Sequence, residues 1–424
     1  MEISVNKVIA VAAVIMAAAV AIPAGAGRSG SMLSGSMRAN RSGFRLVDSV
    51  VNEAISQKLI PGAVISVVKG DRIAYLKAYG NKSVVPDTVA MTEDVMFDLA
   101  SCSKCIGTTL SFMQLIEQGK VRLHDPVCRY IPEFKGWKPD SAATAAGARP
   151  SDITVEHLLT HSSGIDPYIN VARYVAEYGE STPDSLVRFI AEKAGRNFRP
   201  GTEFMYSCLN FITLQAILEK VTGERLCDYA ERNVFWKLGL EHTMYLDSTF
   251  IRSSGKKFWK TYPEVQALCA PSEVQPDGKP LTGAVHDPLA RRINGGNSGN
   301  AGVFSNARDL SVICSAIIDG GEYRGRRILS SAAVDLMCKV PEDIDPEVGR
   351  ALGWDHNSSH SGPRGDLFDR DGTICHTGYT GPSIVIDMKN RTAVIILAHR
   401  VHPEDSGSLA RFRAVIANIA AAAL

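Results

Sequence analysis

Two β-rich stretches at opposite ends of the chain constrain its fold most. "GAVISVVKGDRIAYLKAYG", 62–80, holds two runs of β-branched and aromatic residues joined at Gly70-Asp71, a hairpin signal. "PSIVIDMKNRTAVIILAHRV", 382–401, holds two more, turning at Lys389-Asn390. A lone hairpin is marginal in water, so each needs further strands or helices to cover it. Between them the pattern is mostly helical and loop-rich. One antiparallel sheet built from both ends, flanked by helices, with a helical segment inserted, satisfies this order. The fold class expected is therefore α+β. Residues 44–120 and 300–424 form the α/β domain, and 121–299 form the inserted, mostly helical domain.

Helical spacing supports that layout. In "FRLVDSVVNEAISQKL" the residues Leu46, Val50, Val51, Ile55 and Leu59 make one apolar stripe. From Ser101 to Gln118 the pattern is helical through Ile106, Leu110, Met113 and Ile116, and stops at Gly119. "DITVEHLLTHSSG" reads as a helix capped by Asp152 or Thr154 and closed near Gly164. "CLNFITLQAILEKVTG" ends at Gly223, "ARDLSVICSAIIDGG" is helical, and "SGSLARFRAVIANIAAAAL" is a terminal helix. The Gly-rich "GKPLTGAVHDPLARRINGGNSGNAGVFS" should be loop around a site or a packing junction.

The first residues have a different character. Lys7 is followed by "VIAVAAVIMAAAVAIPAGAG", with small residues at Ala24-Gly25-Ala26. A basic start, an apolar core and a small-residue end describe a secretory signal, here 1–26. The core, Val8 to Ile22, falls short of the roughly 20 residues of a membrane span. A retained anchor or a buried helix is the other reading of the segment. A Gly/Ser-rich linker, 27–43, follows. The expected location is periplasmic or extracellular, with membrane attachment only if the leader is retained.

Lys+Arg 46 against Asp+Glu 45 leaves a net charge of +1 and no basic run, so neither nucleic acid nor an anionic membrane surface is an expected partner. Nine cysteines cannot all pair internally. Their scatter through apolar segments reads as small buried hydrophobes rather than a disulfide framework, although an exported chain would permit disulfides.

The chemistry concentrates in "FDLASCSKCIG", 97–107, which contains two overlapping spacings. Cys102 and Cys105 form C-x-x-C, while Ser101 and Lys104 form S-x-x-K. A helix starting near Ser101 brings i and i+3 to one face, where a lysine amine can take a serine proton. The helix start also adds N–H groups suited to an oxyanion. Tyr206 precedes a helix, and a phenol near an ammonium is a candidate general base. His376-Thr377-Gly378 lies on a strand-like run, where a glycine lets a substrate backbone approach the strand edge. A C-x-x-C metal site would need two more ligands. His157 and His161, at i and i+4, offer a pair, but the same spacing suits packing or capping. "GGNSGN" fails the G-x-S-x-G elbow, which disfavours an α/β-hydrolase.

S-x-x-K, Y-S-C about a hundred residues on, and H-T-G near the end together resemble the penicillin-recognising serine hydrolases. More narrowly, the chain resembles the class C β-lactamase-like family, which includes D-Ala-D-Ala peptidases and esterases. "ITVEHLLTHSSGI", "NAGVFSNARDLSVICSAIIDGGEYRGRRILS" and "HTGYTGPSIVIDMKNRTAVIILAHRVHP" extend the likeness over roughly 45–420. The resemblance implies that Ser101 is acylated, that Lys104 shares or relays its proton, and that Tyr206 activates Ser101 or the deacylating water. It implies an oxyanion hole from the backbone N–H groups of Ser101 and Tyr379, with His376 in the site and Thr377 and Gly378 lining the substrate groove. Cys208 stands where the family has Asn, and His376 where it often has Lys. A thiol is a poor partner for a substrate amide, and the site lacks a fixed charge for a substrate carboxylate. Esters and small amides therefore gain over lactams. No cofactor and no metal are expected. The expected partner is a small-molecule or peptide substrate such as a peptidoglycan fragment. The alternative is a non-catalytic ligand-binding module on the same fold.

Overall fold

Strand β1 (Gly62–Lys69) joins the two ends of the chain. On one side it pairs antiparallel with β2 (Arg72–Ser83) across the Gly70-Asp71 turn. On the other it pairs antiparallel with β11 (Thr392–Ala398), Ala63 opposite Ala398 and Lys69 opposite Thr392. The computed structural model describes residues 43–246 and 262–424, so the expected leader, 1–26, and the linker except its last residue lie outside the described residues.

β10 (Ser383–Asp387) and β9 (Thr373–Thr377) extend the sheet beyond β11, and β3 (Val89–Ala90) closes the far edge beside β2. The order is β3-β2-β1-β11-β10-β9. A second sheet, β4-β6-β5, is made of Phe97–Asp98 (β4), Val303–Ser305 (β6) and Met244–Tyr245 (β5). Glu322–Tyr323 (β7) and Arg326–Arg327 (β8) form a ribbon.

Both faces of the large sheet are covered, which explains why β1 and β11 read as continuous apolar runs rather than alternating ones. Ala63, Ile65 and Val67 meet Val47, Val51 and Ala54 of helix Arg45–Ser56 and Phe412, Ile416 and Ala420 of helix Ala410–Ala423. Val64 and Val68 point the other way, into a core shared with helix Ala307–Ile318. Ser66 on that face is satisfied by the Ser311 hydroxyl at 2.9 Å. This second core runs without a break into the helical segment through Leu158, Phe211 and Leu214. Among the described residues no helix is long and apolar enough to cross a membrane.

Two helices differ from the sequence reading. The helix expected to close near Gly164 spans only Val155–Leu159. Its cap is Thr154: Thr154 Oγ1 accepts the His157 N–H and His157 Nδ1 accepts the Thr154 N–H. The chain leaves the helix because His161 adopts φ +56. The helix expected from Ser101 is three consecutive geometries: a 3₁₀ turn Ala100–Cys102, a π-type turn Lys104–Thr109 and an α-helix Leu110–Glu117. Gly107 sits inside the wide turn, where a Cβ would lie 2.3 Å from the Tyr245 hydroxyl. The wide turn presents Lys104 and Thr108 to the 299–300 loop, whose carbonyls they bond.

Candidate active site

The strand-to-turn junction before Ser101 is held from several sides. The Leu99 N–H donates to Val303 O at 3.0 Å, and the Ala100 N–H to Asp98 Oδ1 at 2.8 Å. Ala100 has φ +45, a conformation that a non-glycine residue keeps only when its surroundings impose it. The turn leaves Ser101 half-buried at the floor of a pocket of about 240 Å³. Tyr206, His376, Thr377 and Tyr379 line the same pocket. Larger hollows of about 420 and 520 Å³ lie near Gln215 and Asn294, away from Ser101.

Lys104 is fully buried. Its Nζ donates to Ser101 Oγ at 3.0 Å and to Asn300 O at 3.0 Å, and no carboxylate pairs with it among the described residues. Burial alone would lower its pKa. Cys208 and Tyr206, with a smaller contribution from Asp287, more than offset that and carry it above the ordinary lysine value.

Tyr206 stacks on His161, ring centroids 4.3 Å apart. Burial raises its phenol, and Lys104 pulls it partly back. Its hydroxyl finds no partner of regular geometry among the described residues, while Lys104 and Ser101 lie close enough to act on its acidity. Lys104 Nζ is 5.0 Å from the Tyr206 ring centroid and 5.8 Å from that of Phe211.

His161 is a functional neighbour that sequence reasoning had weighed only for metal binding or packing. Its Nδ1 accepts the Ser207 N–H at 3.0 Å, so the ring proton sits on Nε2. Burial, then Arg350 and Lys104, push its pKa well below 6.5, so the ring is neutral. It is the platform that orients Tyr206. His157 is used in the helix cap instead, so the two histidines do not form a ligand pair. A different group, His124, Glu156 and Asp343, comes together at the surface.

His376 donates from Nδ1 to Thr377 O at 2.9 Å, leaving Nε2 as a bare acceptor with no partner among the described residues. Burial first, then Arg350 and Lys104, hold its pKa well below 6.5. Gly378 is not among the residues lining the pocket, and packing requires it, since a Cβ there would lie 2.5 Å from Leu99 O. Cys208 opens helix Cys208–Thr222 and does not line the pocket. Its thiol, raised by burial and opposed by Lys104, lies beside Lys104 and Asn300. Cys102 and Cys105 are buried, and all nine cysteines are free thiols.

Three further residues line the pocket: Arg350, Asp355 and His360. Arg350 Nη1 donates to Asp355 Oδ2 at 2.7 Å with both side chains buried. The available signal was an arginine embedded in the apolar "RALGW".

The family model described as Beta-lactamase matches residues 47–418. The N-acetylmuramyl-L-alanine amidase of Bacillus subtilis (strain 168) is 30% identical over 377 residues, covering 85% of this chain and 81% of that protein. An Escherichia coli (strain K12) protein, provisionally named a D-alanyl-D-alanine carboxypeptidase, is 28% identical over 363 residues, covering 81% and 79%. Among solved structures, "EstCE1, a hydrolase with promiscuous acyltransferase activity" superposes with a TM-score of 0.67 at 23% identity, covering 90% of this chain and 99% of that one. At that identity the likeness speaks to the fold.

Proposed function

Because the chain belongs to the Beta-lactamase family of serine hydrolases, we propose that it cleaves a small amide or ester through an acyl-enzyme on Ser101. The observation that carries this is the Lys104 Nζ to Ser101 Oγ contact at 3.0 Å, where no carboxylate among the described residues pairs with the lysine. Ser101 Oγ attacks the substrate carbonyl carbon while its proton passes through the Lys104–Tyr206 pair to the leaving group. The backbone N–H groups of Ser101 and Tyr379 take the oxyanion. Water then attacks the acyl-serine by the same proton route in reverse. A peptidoglycan fragment is the proposed substrate class, in keeping with the name of the Bacillus subtilis relative. The leader-like 1–26 supports action outside the cytoplasm.

Intact-mass analysis after exposure to a fluorescent penicillin or an aryl phosphonate tests the nucleophile. One adduct is expected, mapping to Ser101 and absent from Ser101→Ala. Equal labelling of that variant overturns the assignment. Ligand binding with no adduct and no ester turnover favours a non-catalytic module.

Position 208 tests substrate preference. An Asn side chain can donate to and accept from a substrate amide, a net gain of about 1 kcal/mol. Cys208→Asn is expected to shift kcat/KM toward amides over esters by about 3- to 10-fold. An unchanged ratio means that Cys208 only packs against Lys104.

A further inference from the structure

Glu156 is 4% exposed, yet its carboxylate accepts no hydrogen bond and meets no lysine or arginine among the described residues. It faces His124, whose Nδ1 lies 3.9 Å from Glu156 Oε2, and Asp343. His124 Nε2 lies 3.8 Å from Asp343 Oδ2. Both separations are too long for hydrogen bonds. A buried carboxylate with neither a donor nor a fixed cation is costly. Burial raises its pKa, His124 opposes that, and Asp343 adds to the rise.

A metal ion would resolve this arrangement. One ligand atom from each of the three residues lies within 4.8 Å of the others. Two ligands on a tetrahedral ion, each about 2.0–2.2 Å from it, sit about 3.3–3.6 Å apart. The His124 and Asp343 side chains are 60% and 74% exposed, so they can rotate to close that difference around the fixed Glu156. Their backbones are held in place. The Glu156 N–H donates to Leu123 O at 2.9 Å and the Val155 N–H to Asp125 O at 3.1 Å, which fixes His124 between two bonded neighbours. Asp343 precedes the buried Ile344 and Asp345, whose N–H donates to Gly201 O at 3.0 Å. Three segments far apart in sequence thus present one imidazole and two carboxylates to one point. That set suits zinc better than magnesium or calcium, which take oxygen ligands. Three protein ligands leave a fourth position for water.

We propose that His124, Glu156 and Asp343 bind a divalent transition-metal ion of the zinc type, and that the ion clamps the 341–345 turn to the start of helix Val155–Leu159. The clamp has a second anchor at the end of that helix, where the Gly353 N–H donates to Leu159 O at 2.9 Å. Between the two anchors the chain passes through Arg350, which lines the pocket at Ser101, so the ion steadies one wall of that pocket. The site stands independently of the hydrolase reading, and no step of the reaction runs through it.

The test titrates tag-free, chelator-treated protein with zinc chloride by calorimetry, with magnesium chloride for comparison. A single zinc ion is expected to bind with a micromolar Kd, and excess zinc should raise Tm by about 2–6 °C. Magnesium should do neither. Asp343→Asn changes an exposed side chain, and Glu156→Gln keeps the buried shape while removing its charge. Each should weaken zinc binding at least tenfold and abolish the rise in Tm. His360→Ala, which removes another exposed imidazole, should leave zinc binding unchanged. No zinc binding by wild type, or equal binding by Asp343→Asn and Glu156→Gln, overturns the site. Zinc binding that the two variants lose, with no rise in Tm in wild type, keeps the site and overturns the clamp.

Discussion

Lys104→Met is expected to lower kcat/KM for a nitrophenyl ester by about 10³- to 10⁴-fold, close to the loss in Ser101→Ala. Groups that act as a unit lose most of their effect when any one is removed. Lys104 is the cation that touches Ser101 Oγ, and it is also the charge that pulls the Tyr206 phenol back from the full effect of burial. Without it, Tyr206 has no means of ionising at a useful pH. Methionine fills the same space, so a cavity does not confuse the result. Replacing a buried charge with an apolar group of similar volume is often neutral or stabilising, so Tm should hold or rise while turnover collapses. A variant that keeps more than a tenth of the activity would assign the proton transfer elsewhere.

The same pair sets the pH profile. Burial raises the Tyr206 phenol, while the rise at Lys104 comes from Cys208 and Tyr206 acting against burial, so the charge of the site belongs to the Lys104–Tyr206 pair. One proton must leave this pair before Ser101 can be deprotonated, so kcat/KM should climb with pH into the alkaline range. The apparent pKa belongs to the pair rather than to either residue. His376 titrates well below 6.5 and adds no limb near neutrality. A limb centred near 6.5 in native enzyme would identify a different base.

Much of this site is legible in the sequence because its residues sit beside strong local punctuation. Ser101 and Lys104 follow a short strand, Tyr206 precedes a helix, and His376 ends a β-run. The two hairpins are equally plain, since their alternation and turns are local. What escapes has no local signature. A π-type turn over Lys104–Thr109 cannot be told from an α-helix across six residues, because the two periods have not yet separated. His161 looks like a helical histidine until its positive φ ends the helix and lays the ring on Tyr206. Arg350 and Asp355 lie five residues apart, but their meaning depends on the Asp355–Cys375 bridge that sets them beside His376. The 121–299 segment reads as an inserted, mostly helical domain. In space it shares a core with one face of the sheet, because Phe211 and Leu214 pack in the same cluster as Val64.

Acid is expected to destabilise the protein below pH 6.5, before any catalytic group titrates. His399 is 2% exposed, and burial lowers its pKa to about 4. His161 and His376 are held well below 6.5 for the same reason. A histidine with a depressed native pKa stays neutral in the fold while the unfolded chain takes up a proton near 6.5. Below that pH the unfolded state binds more protons, so stability falls as pH drops, by up to about 1.4 kcal/mol per unit for each histidine. For His399 the loss runs from about 6.5 to about 4, and amounts to about 2 kcal/mol by pH 5. Three such groups together would take several kcal/mol from a net stability of about 5–15 kcal/mol. Asp98 and Asp309, whose carboxyls burial raises, act in the opposite sense and moderate the fall. Urea titrations from pH 7.5 to 5 measure the slope directly, and His399→Asn should flatten it by about one proton. An unchanged slope would mean that His399 is protonated in the native fold. Because His376 stays neutral over this window, activity per folded molecule should lack a histidine step, and loss of total activity in acid should track loss of folded protein.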